Sequence, residues 1–96
     1  MKSEEEIRKQ IINIVSSKIK SSKDQVTEAT ALIGDGSEMD SMKLIELCLD
    51  LEDMATKLNF EFDWTSEKAM SKLGSVFMNV ETISTEFIKQ YKNKKW

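Results

Sequence analysis

The sequence predicts an all-α protein, a four-helix bundle with a long loop between its first and second helices. Three observations carry this prediction. The 96 residues contain no proline and three glycines, which favours long helices over a turn-rich sheet. Three stretches repeat their apolar residues at helical spacing. One run, 60–64, alternates as a strand would, but no second run is available to pair with it. The length suits one small domain, whose core suffices if most of the chain is helical.

The first helix opens at Ser3, which has capping-box spacing to Glu6, and Glu4 and Glu5 suit the positive end of the helix dipole. Ile7, Ile11, Ile14, Val15 and Ile19 mark one face. The pattern fades in Lys20-Ser21-Ser22-Lys23-Asp24. Residues 21–39 show no sustained period and read as a long loop whose Val26 and Leu32-Ile33 dip into the core. The second helix starts near Asp40-Ser41, with Asp40 as N-cap, and runs to about Leu58. Asn59-Phe60-Glu61-Phe62-Asp63-Trp64 reads as an extended linker tucking its aromatics inward. Thr65 or Ser66 caps a short third helix reaching about Leu73, which Gly74 weakens. Asn79 caps the last helix, with Val80, Ile83, Phe87 and Ile88 on its inner face. The four lysines of 89–96 suggest a frayed, solvated tail.

Composition excludes several chemistries. One cysteine allows no internal disulfide, and the absence of histidine removes zinc fingers and the usual general base. A net charge of −3 argues against nucleic acid as the main partner. No apolar run exceeds three residues, and the first residues lack the apolar stretch of a secretory signal. A soluble, cytoplasmic protein without a membrane span is expected. The charge is unevenly spread. Residues 35–53 hold seven acidic side chains against Lys43 alone, a local −6, so the remainder bears +3.

The second helix has too many apolar faces. At about 100° per residue, Leu44, Leu47, Leu51, Met54, Ala55 and Leu58 share one arc with Cys48 at its edge. Met42, Ile45 and Leu49 fall on another side, flanked by Glu46, Asp53 and Glu52. Two readings are open: the second stripe packs inside under the long loop, or it is an exposed i, i+3, i+7 anchor set for a partner. The neighbouring carboxylates favour exposure, because burying them is costly. Ser41 sits at the edge of the same surface, at the helix start, where a phosphate would meet backbone N–H groups and the positive dipole end.

Asp40-Ser41-Met42, followed by Ile45, Glu46, Leu47, Leu51 and Glu52, resembles the acyl carrier proteins, whose signature is Asp-Ser-Leu opening the second helix. The likeness spans roughly residues 3–90; it implies that residues 1–90 form a single carrier domain of acyl-carrier type, with 91–96 as a Lys-rich tail. The long 53–64 stretch is similar to stand-alone carriers of specialised pathways. The resemblance implies that Ser41 receives 4′-phosphopantetheine from coenzyme A and that the arm carries an acyl or aminoacyl thioester. It implies docking through Asp40, Met42, Ile45, Glu46, Leu49 and Asp53, and no catalysis by the chain itself. Asp40 would also help position the magnesium-dependent transfer. The implied partners are a phosphopantetheinyl transferase, a loading ligase and a downstream acyltransferase or synthase, and a monomer is expected. The reading from another class is a helical protein-interaction module using the same surface without a prosthetic group.

Other features have plainer readings. Cys48 is core filler rather than a reactive thiol. Gly34-Asp35-Gly36-Ser37 is a turn, since it lacks the third glycine and preceding strand of a phosphate cradle. Asp35, Ser37 and Asp40 are too few and wrongly spaced for a calcium loop. Phe60, Phe62 and Trp64 read as closing the structure, with contact to cargo as the open alternative.

Overall fold

The computed structural model describes residues 3–19, 26–33, 40–71 and 73–93, with the backbone alone at Ser41, Lys68 and Leu73. Five helices appear among them: α1 (Glu4–Lys18), α2 (Ser41–Lys57), α3 (Glu67–Met70), α4 (Leu73–Val76) and α5 (Val80–Lys92). The described residues form no strand, only an isolated antiparallel bridge between Ala31 and Asn79. The protein is therefore mostly helical, as its composition predicts. The Lys20 to Asp24 polar run, the Gly34 to Ser37 turn, and Lys94, Lys95 and Trp96 lie outside the described residues.

Each long helix begins on a cap legible in the sequence. The Glu6 N–H donates to Ser3 Oγ at 3.2 Å, and Ser3 Oγ donates to the Glu6 carboxylate at 3.3 Å. Asp40 accepts from the Lys43 N–H at 2.8 Å. Asn79 and Thr82 make a full capping box. The end of α2 is a Schellman motif: Asn59 takes a positive φ of 66°, its N–H bonds the Thr56 carbonyl, and the Phe60 N–H bonds the Ala55 carbonyl. This turn drives Phe60 back under the helix it has just left.

The core runs between α1, α2 and α5, with α1 packed on both others. Ile7, Ile11 and Val15 meet Val80, Ile83 and Phe87, all fully buried, and α2 adds Leu47, Leu51 and Ala55. Val26 and Leu32 are buried and Ile33 is half-buried, so this part of the interhelical segment does enter the core. It also holds the start of α5. The Val80 N–H bonds the Thr30 carbonyl at 3.0 Å, and the Glu81 N–H bonds the Glu28 carbonyl at 2.8 Å. Both are donors that a helix leaves unsatisfied in its first turn.

Residues 61–64 are extended without strand pairing, and Phe60 and Phe62 are buried. Their rings stand 5.1 and 5.3 Å from Phe87. Gln90 reads the linker backbone at both polar groups: the Asp63 N–H donates to its Oε1 at 2.6 Å, and its Nε2 donates to the Asp63 carbonyl at 3.0 Å. An α5 side chain thus supplies the pairing that a second strand would have given.

Two expectations are corrected. The expected third helix is two single turns, α3 and α4, and Gly74 lies within the second rather than ending the first. Four residues are too few to propagate alone. Instead α3 is set by Ser66, whose Oγ accepts from the Ala69 N–H at 3.1 Å and donates to the Asp63 carboxylate at 2.6 Å. In turn, α4 packs on α5, where Thr82 Oγ donates to the Val76 carbonyl at 2.7 Å. The frayed tail is corrected as well. Helix α5 continues through Lys92, because Tyr91 is buried 5.5 Å from Phe60 and Lys92 bonds Glu4 at 2.6 Å.

Gly74 gives a prediction. A Cβ built there meets nothing within 4 Å, so Gly74→Ala is expected to stabilise the protein by about 0.5–1 kcal/mol through helix propensity. Chemical denaturation would check this, with a fall in stability as the contrary result.

Candidate functional site

The site is built on α2. Asp40, itself in an extended conformation, caps the helix, so Ser41 is the first residue of a 17-residue helix. One face of α2 is sealed into the core by Leu47, Cys48, Leu51, Met54 and Ala55, while Leu44 and Leu58 are half-buried at its margins. The adjoining face is open. Met42 is 68% exposed, Ile45 48% and Leu49 52%. These are three of the five exposed large hydrophobic residues among those described, the others being Met70 and Met78. Scattered apolar residues on a surface need no explanation, but three on adjoining turns of one helix do. The reading of this stripe as packed under the loop is therefore set aside.

The carboxylates around the stripe are differently engaged. Asp40, Glu46 and Asp53 are exposed. Asp53 pairs with Lys57 one turn on at 3.7 Å, and both side chains are more than 70% exposed. Such a pair is weak. Glu46 and Asp50 converge instead on Lys18 from the end of α1, at 3.6 and 2.7 Å. The Asp50 hydrogen bond raises the Lys18 pKa most, against burial, which lowers it. On the other border, Glu52 accepts the Trp64 indole N–H and so turns toward the linker rather than the stripe.

Sequence reasoning missed both Lys18 and Trp64 as members of this surface. Lys18 carries one legible signal, a cation in the last turn of a helix, but no local pattern pairs it with residues on another helix. The calcium-loop and turn candidates Asp35 and Ser37 lie outside the described residues.

Cys48 is 2% exposed, and burial, with Glu52 as a secondary cause, pushes its pKa up to about 12. The thiolate is thus absent at neutral pH and the residue packs as a small hydrophobe. The space bounded by Phe62, Trp64, Val76 and Phe77 is about 20 Å³, enough for a single water. Phe62, Trp64 and Phe77 therefore leave almost no free space between them. Among the described residues no group of His, Cys, Asp or Glu could hold a metal ion, and no helix is long and apolar enough to cross a membrane.

What α2 offers is an acid-bordered apolar stripe beside a serine at a capped helix start. No family model, curated protein or solved structure matches the chain.

Proposed function

We propose that the chain is a carrier protein of acyl-carrier type, bearing 4′-phosphopantetheine on Ser41. The observation that supports this most is the joint placement on α2: a serine at the first position after an Asp40 cap, beside the exposed Met42, Ile45 and Leu49. An interaction module would have use for the stripe but not for the serine. In this reading the architecture is a four-helix bundle in which α3 and α4 together take the place of the third helix. The segment between α1 and α2 is its long loop.

Ser41 is the nucleophile's source and not a catalyst. Its hydroxyl oxygen bonds the phosphopantetheine phosphorus of coenzyme A, adenosine 3′,5′-bisphosphate leaves, and the serine proton passes to the transferase. The phosphodiester then lies at a helix start, where backbone N–H groups and the dipole favour its charge. Its neighbours Asp40 and Met42 are both exposed. Asp40 holds the first turn and would help position the magnesium-dependent transfer. Met42, Ile45 and Leu49 seat in an apolar depression of each partner, while Glu46 and Asp53 face its cations. The arm's thiol supplies the thioester that carries an acyl or aminoacyl group. The partners are a phosphopantetheinyl transferase, a loading ligase and a downstream acyltransferase or synthase, acting on a cytoplasmic monomer.

The test is to incubate the protein with coenzyme A, magnesium and a broad-specificity phosphopantetheinyl transferase, and then weigh it intact. One phosphopantetheine is expected, with fragment ions placing it on Ser41. An unchanged mass would overturn the proposal and leave the interaction module.

A further inference from the structure

We propose that Lys18 is a built-in counter-ion that weakens α2's attraction for cationic partners and so selects among them. This rests on the carrier reading above, because it concerns the same docking face.

Lys18 is the last residue of α1, yet its ammonium lies 2.7 Å from Asp50 and 3.6 Å from Glu46 on α2. Its side chain is 15% exposed, whereas the carboxylates remain 48% (Glu46) and 45% (Asp50) exposed. The stem is therefore laid along the seam between the helices, and the cation is fixed between two acids that still face solvent. Lys57, by contrast, is 77% exposed in its pair with Asp53, a surface pair that holds its cation weakly.

Glu46 borders the Met42, Ile45 and Leu49 stripe. A partner's Arg or Lys reaching Glu46 comes well within the Debye length, about 8 Å at physiological salt, of the Lys18 ammonium. That partner meets half-neutralised acid and a fixed like charge. At Asp53 it meets a carboxylate whose own cation is held only by a weak, exposed pair. Cationic partners are thus directed toward Asp53, and one needing Glu46 is penalised. Loss of the Lys18 charge should strengthen docking, the opposite of what a purely structural staple would give.

The test uses arm installation by the same transferase, followed by intact mass at low and high salt. Lys18→Met keeps the stem and removes the charge. It is expected to lower KM about threefold to tenfold at low salt, with kcat unchanged and the gain vanishing at high salt. Lys18→Arg should restore the parent KM. An unchanged or higher KM for a helical Lys18→Met would overturn the inference. A second arm leaves Lys18 in place: Glu46→Gln should raise KM less than Asp53→Asn does, and an equal or larger rise would overturn it. Failure to load any variant, the parent included, would contradict the carrier reading itself. Loading insensitive to Lys18 contradicts only this inference.

Discussion

Ile45→Asp is expected to reduce kcat/KM for arm installation at least about tenfold while the protein stays folded, since truncating a central anchor costs upward of 1–2 kcal/mol. Ile45 is 48% exposed, in the middle of the stripe. Aspartate there places a charge where the partner must remove water, and no basic side chain on α2 is positioned to pair with it. Folding should hardly notice. Exposed substitutions shift stability by about 0.5 kcal/mol, and isoleucine and aspartate have similar helix propensities. The control is the same change on the other face. Leu51 is fully buried, so Leu51→Asp forces an unpaired charge into the core and should abolish the cooperative unfolding transition. Circular dichroism and loading kinetics on both variants check the pair. An unfolded Ile45→Asp would mean that the stripe is core.

Phe87→Ala carries the largest expected loss of stability, about 3–5 kcal/mol for a fully buried phenylalanine. Two rings from the linker converge on it, Phe60 edge-on at 5.1 Å and Phe62 tilted at 5.3 Å. The truncation removes the surface against which the linker closes. A domain of this size has about 5–15 kcal/mol in total, so the variant is left marginal. At about 4–8 °C per kcal/mol, the melting temperature should fall by more than about 12 °C. A fall of only a few degrees would show that the linker collapses into the vacated space.

Features set by local chemistry were legible in the sequence. Ser3, Asp40, Ser66 and Asn79 cap helices because a short polar side chain reaches its own backbone. The faces of α1, α2 and α5 follow from 3.6-residue spacing, and so does the exposed stripe, which required only that two arcs on α2 be distinct. What escaped is non-local. Tyr91 lies among lysines and looks solvated until Phe60 is placed beside it. Gln90 pairing with the Asp63 backbone, Trp64 with Glu52, and Lys18 with Glu46 and Asp50 each join residues that no window contains. The break between α3 and α4 depends on what each turn rests against, not on its own residues. Asn59 does carry a local signal, since asparagine just past a helix end favours the left-handed terminating conformation it adopts.

The most direct measurement compares the intact masses of the parent and Ser41→Ala after the same incubation with coenzyme A, magnesium and transferase. Ser41 is the first residue of α2, and alanine is a strong helix former, so the variant should fold. The parent should gain one phosphopantetheine and Ser41→Ala none, with matching circular dichroism spectra. A parent that gains nothing, or a Ser41→Ala protein that still gains the arm, would contradict the carrier reading.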